Sequence, residues 1–75
     1  MKIKYNSTLA EIRAWMRENN LHKQYSINRF NRRLIAGWFY AVTERGPEPR
    51  YRLGIGCKPF EAAASAWPRL ITRKS

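Results

Sequence analysis

Seventy-five residues, 44% of them hydrophobic and including three Trp, four Tyr and three Phe, suit one small domain spanning residues 1–75 and are too apolar for a disordered tail. Fifteen Lys and Arg against five Glu and no Asp leave a formal charge of +10, a density that a compact chain tolerates best opposite a polyanion. The lone cysteine, Cys57, excludes an intramolecular disulfide and a cysteine metal cluster, and the apolar run Leu34 to Val42 is far short of a membrane span.

Met1-Lys2-Ile3-Lys4-Tyr5 contains no apolar stretch of the signal-peptide kind, so a cytoplasmic protein is expected. A short strand over Ile3 to Tyr5 is possible at a sheet edge. Thr8-x-x-Glu11 has the spacing of a capping box and opens the first helix. Leu9, Ile12, Trp15 and Met16 then follow three- and four-residue steps and define its buried face. Arg13 and Arg17 lie four apart on the other side, where they repel each other mildly unless an anion or Glu18 sits nearby. Asn19-Asn20 end the helix, because Asn tolerates the left-handed cap conformation.

Residues 21–34 read in more than one way. Ser26 can cap a short helix with Ile27, Phe30 and Leu34 on one face. The preferred reading is a basic loop or irregular strand carrying Tyr25, Ile27 and Phe30 into the core. Leu34 to Thr43, rich in aromatic and β-branched residues, predicts a strand. Glu44-Arg45-Gly46-Pro47-Glu48-Pro49 is turn chemistry. Arg50 to Gly56 alternates and predicts the returning strand of a hairpin, with Tyr51, Leu53 and Ile55 facing the core. Pro59 and Glu61 suit the first turn of a second helix, with Phe60, Ala63, Ala64 and Trp67 as its buried face and an end near Trp67 before Pro68. Trp15, Trp38 and Trp67 are all expected in the core.

The fold class is therefore α+β: an antiparallel hairpin or three-stranded sheet packed on one face by two helices. A winged helix is the alternative if 26–34 is helical and the hairpin is the wing.

Nucleic acid is the partner that the charge implies, because each neutralised phosphate releases counterions. Between Asn19 and Thr43 there is no acidic residue, while Lys23, Arg29, Arg32 and Arg33 fall in that stretch. Arg50 and Arg52 follow on the returning strand, and Lys58 stands at the entrance of the second helix. These seven residues are the expected nucleic-acid-binding set, with Arg29, Arg32 and Arg33 as its main patch. A phosphate at the amides after Gly54-Ile55-Gly56, helped by Lys58, weighs evenly against glycines that merely permit a tight connection. Phe39, if exposed among Arg50 and Arg52, is a stacking platform for bases or equally part of a protein interface, though core packing is the commoner fate of a single aromatic.

Catalysis has little support in the residues. His22 is the sole histidine and stands beside Lys23. Cys57 precedes a helix, where a thiolate is favoured, but a nucleophile also needs a base to manage protons. The Glu residues are scattered, without metal-ligand or paired-carboxylate spacing. No cofactor and no catalytic residue is expected, and Cys57→Ser is expected to leave activity intact.

From Trp38 to Leu70 the chain resembles the C-terminal half of a double-stranded-RNA-binding domain. The matching segments are Phe39-Tyr40-Ala41-Val42, Tyr51-Arg52-Leu53-Gly54-Ile55-Gly56 and Glu61-Ala62-Ala63-Ala64-Ser65-Ala66. The resemblance implies two antiparallel strands ending in Gly-x-Gly and an alanine-rich helix on the sheet. The leading helix from Thr8 to Asn19 fits that order. Of the family's basic cluster at the second helix, only Lys58 is present here. Gly54-x-Gly56-x-x-Pro59-x-Glu61-Ala62 is also similar to small bacteriophage and HicB-like proteins.

The expected function is non-enzymatic binding of DNA or RNA, duplex or structured, through phosphate contacts from Arg and Lys, with no membrane partner. The alternative is a small phage-type inhibitor that binds a host nucleic-acid-processing or CRISPR-like ribonucleoprotein complex.

Overall fold

The computed structural model describes residues 1–32 and 37–72. Along the chain these form α1 (Leu9–Glu18), β1 (Tyr25–Asn31), β2 (Trp38–Glu44), β3 (Arg52–Gly56), α2 (Pro59–Ala66) and α3 (Pro68–Thr72). The strands make one antiparallel sheet in the order β1-β2-β3, with helices packed against it, so the fold is α+β.

Helix α1 begins where its sequence says it must. Thr8 Oγ1 accepts from the Glu11 amide at 3.2 Å, and the Thr8 amide donates to Glu11 Oε1 at 2.8 Å. This reciprocal pair satisfies amides that have no intrahelical partner. Ile12, Trp15 and Met16 are its buried stripe. Asn20 then takes a left-handed conformation (φ 59°), and the Leu21 amide returns to the Met16 carbonyl at 2.9 Å, turning the chain into β1.

The ambiguous segment is a strand over its described part. β1 pairs with β2 residue for residue, from Tyr25 opposite Glu44 to Asn31 opposite Trp38. Tyr25 and Ile27 turn towards the helices, and Ser26, Asn28 and Phe30 turn away, a two-residue period that a helix from Ser26 would not produce. The winged-helix alternative therefore gives way to the sheet. Arg33 and Leu34, like the start of the strand expected from Leu34, lie outside the described residues. Ile3 is buried in the core without joining a strand, and Tyr5 sits in a turn, so no edge strand forms over Ile3 to Tyr5.

Two further expectations are corrected. Tyr51 and Ile55 do not face the core: they are 64% and 46% exposed. The inward positions of β3 are Gly54 and Gly56 instead. A Cβ at Gly54 would fall on the Ala62 carbonyl oxygen and 2.5 Å from the Ala66 amide nitrogen. One at Gly56 would stand 2.5 Å from Glu61 Cβ. α2 thus lies backbone-close on β3, which only glycine on the strand and alanine on the helix permit. A register shift at Val42/Thr43 leaves Leu53 as the extra residue of β3 and turns it into the core, so only the middle member of the expected trio packs inward. The same close approach turns Pro59, Ala62 and Ala63 to the fully buried side of α2, with Phe60, Ala64 and Trp67 half-buried.

The second correction concerns the tryptophans. Trp15 is 6% exposed, and its ring stands 5.8 Å from that of Trp67, which also meets Tyr25 at 5.7 Å. Trp38 is the first residue of β2, beyond the cover of the helices, and is 50% exposed. Its partner is the Arg29 guanidinium, 4.4 Å over the ring.

Candidate nucleic-acid interface

A groove of about 400 Å³ runs between α1 and β1. Arginines reach it from three elements: Arg13 and Arg17 from α1, Arg45 from just beyond β2 and Arg50 from the approach to β3. Among the described residues no carboxylate lines it. Two of these side chains are fixed by neutral acceptors. Arg13 Nη2 donates to the Ile27 carbonyl at 3.0 Å and to Asn28 Oδ1 at 3.3 Å. Arg45 Nε donates to the His22 carbonyl at 2.7 Å, while its amide donates to the Gln24 carbonyl at 2.8 Å. A guanidinium has five N–H donors, so each keeps donors in reserve while its position is set. Arg13 also occupies a carbonyl of an edge strand, which guards that edge against unplanned pairing. Arg17 has no partner among the described residues. The His22 ring lines the same groove, and its Nδ1 is buried without a hydrogen-bond partner among the described residues.

The second surface is the sheet face turned away from the helices. Phe30 and Phe39 stand opposite each other there with rings stacked at 5.4 Å and 24°. Arg52 lies 5.8 Å from the Phe39 ring centre on the same face. A depression of about 240 Å³ beside them includes Asn28, Thr43, Arg50 and Arg52. Glu48 is its one acid, holding Arg50 through Oε2 at 2.8 Å from Nε and 2.6 Å from Nη2. Asn28 and Arg50 line both hollows, so the cationic groove and the aromatic face meet at the edge of β1.

The expected site residues divide between these surfaces and other places. Arg50 joins both hollows, and Arg52 joins the aromatic face. Arg29 sits over Trp38 on the helix-facing side of β1, at its far end. Arg32 is half-buried and donates through Nη2 to Cys57 Sγ at 3.0 Å. Lys23 is exposed between α1 and β1. Lys58 stands 5.0 Å from the Tyr5 ring centre. Arg33 lies outside the described residues. Arg13, Arg17 and Arg45 were not among the expected residues. The four-residue spacing of Arg13 and Arg17 was the signal for two of them, since like charges on one helix face invite an anion.

The amides at the start of α2 are already occupied. Glu61 Oε1 accepts from the Cys57 amide at 2.9 Å and from the Lys58 amide at 3.2 Å. An internal carboxylate therefore sits where a phosphate was one of two expectations, and the glycines before it serve the close approach of α2.

Compared with known proteins, the chain matches no family model, no curated protein and no solved structure. Its chemistry is read from its own residues.

Proposed function

We propose that this chain is a non-enzymatic nucleic-acid-binding protein that grips the phosphate backbone of DNA or RNA with arginine and lysine. The observation that carries the reading is the groove between α1 and β1, where Arg13, Arg17 and Arg45 converge with Arg50, itself paired to Glu48, and no carboxylate among the described residues lines the wall. Guanidinium groups held by neutral acceptors are placed in advance for the forked hydrogen bonds that phosphate oxygens accept.

A second reading is a small inhibitor seated on a host nucleic-acid-processing complex. The observation favouring it is the exposure of Tyr51 (64%) and Ile55 (46%), apolar surface of the kind that protein interfaces use. A tagged-protein pull-down with and without nuclease decides between the two. Nucleic acid recovered directly, with co-purifying proteins lost after nuclease treatment, is the expected result. A protein partner retained after complete nuclease digestion, with no nucleic acid bound at low salt, contradicts the proposal.

A further inference from the structure

Resting on the nucleic-acid reading, we infer that the ligand is an unpaired strand crossing the edge of β1, its phosphates in the arginine groove and its bases on the Phe30–Phe39 face. Three observations carry this. First, the sheet face opposite the helices presents a stacked aromatic pair with a guanidinium over one ring, and no helix among the described residues covers it. The two rings are half-buried, and partly open aromatic rings beside a cation suit flat, π-faced partners, of which bases are one kind. Second, the groove and this face are contiguous through Asn28 and Arg50, so one chain can touch both. Third, the two hollows differ in chemistry as the two sides of a single strand do. The groove offers four arginines and, among the described residues, no lining carboxylate, and the face offers rings flanked by Asn28, Thr43, Arg52 and the Glu48–Arg50 pair. A duplex presents phosphates to its surroundings while its base faces stay stacked inside. It can fill the groove but gives the phenylalanines nothing to stack on. The inference thus departs from the duplex partner that the family resemblance implies.

The test uses the intact chain and three fluorescent probes of the same length, about 12 nucleotides, within the range of single-strand sites. They are oligothymidylate, an abasic strand with the same phosphates, and a duplex. Anisotropy titrations at one low salt concentration give the affinities. The inference predicts that oligothymidylate binds about tenfold or more tighter than the abasic strand, from one or more stacked bases, and tighter than the duplex. In Phe30→Leu/Phe39→Leu the advantage over the abasic strand is expected to vanish, while affinity for the abasic strand is kept. Arg52→Gln serves as a second variant and is expected to reduce the advantage without touching the packed phenylalanines. Equal affinity of the wild-type chain for base-bearing and abasic strands, or a preference for the duplex, overturns the inference and leaves the phosphate-binding proposal standing. Failure to bind any probe overturns both and points to a protein partner.

Discussion

The two faces of the sheet are built from the same three strands and share almost no chemistry. The face under the helices presents Ile27, Val42 and Leu53 with Gly54 and Gly56, and its packing is close enough that α2 meets β3 through backbone. The open face presents Ser26, Asn28, Phe30, Phe39, Thr43, Arg52 and Ile55 around a buried Ala41, a mixed surface that is half-buried at most of these positions. On the first face Arg29 stands only at its far end, over Trp38, while Arg50 and Arg52 gather at the second. Stability and recognition are therefore carried by alternate residues of the same strands, and substitutions one position apart are expected to have opposite consequences.

The tryptophans break this comparison most sharply if it is wrong. Trp15→Ala is expected to cost about 3–5 kcal/mol, as for other buried aromatics, and to leave a domain this small largely unfolded. Trp38→Ala removes an exposed ring and its Arg29 contact, and is expected to cost about 1 kcal/mol or less. Urea denaturation followed by circular dichroism reads both. Comparable losses would place Trp38 in the core after all.

Within β3 the contrast is between neighbours. Gly54→Ala drives a methyl group into the α2 backbone and is expected to cost about 1–3 kcal/mol or more. Ile55→Thr, on the open face, is expected to stay within about 0.5 kcal/mol. Thermal melts of the two variants test whether α2 seats on β3 as closely as the glycines require. A stable Gly54→Ala protein would contradict that seating.

Much of this fold was legible in the sequence, and the parts that were not share a physical cause. The capping box at Thr8 and Glu11 and the turn residues between β2 and β3 are local signals, complete within a few positions. The inward face of β3 is different, because its apolar residues point to one answer and its glycines to another. Alternation alone assigns Tyr51 and Ile55 to the core. Only the packing partner, an alanine-rich helix needing room at Gly54 and Gly56, reverses the assignment. Trp38 misleads similarly, since its apolar neighbours suggest burial but its place at the strand's end lies past the helices. The interface was half legible: Arg50 and Arg52 are in it. Arg13 and Arg45 join through contacts to carbonyls of residues 14 and 23 positions away, which no sequence window relates.

The arginines themselves refine the comparison. Arg13 is both anchor and donor, so Arg13→Gln is expected to lose about 0.5–1.5 kcal/mol of stability as well as affinity. Arg17 has no partner among the described residues, and Arg17→Gln is expected to leave the melting curve unchanged while weakening binding. Parallel melts and titrations separate the two roles. Equal stability loss in both variants would make Arg17 structural. The smallest effect is expected at Glu48, whose carboxylate pairs with Arg50 and, on the proposed reading, would compete with a phosphate for it. That pair is exposed and worth at most about 1 kcal/mol, so Glu48→Gln is expected to tighten binding by no more than about fivefold. Weaker binding in the titration would mean that Glu48 positions Arg50 instead of masking it.

The central claim, that the arginine groove is the electrostatic grip, is tested most directly by the salt dependence of binding. With about four phosphates neutralised, log K against log salt is predicted to fall with a slope of roughly −3 to −4. In Arg17→Gln/Arg50→Gln the slope is predicted to become shallower by about 1.5 to 2, one contact at each position. A wild-type slope near zero, or an unchanged slope in a folded double variant, would contradict the account.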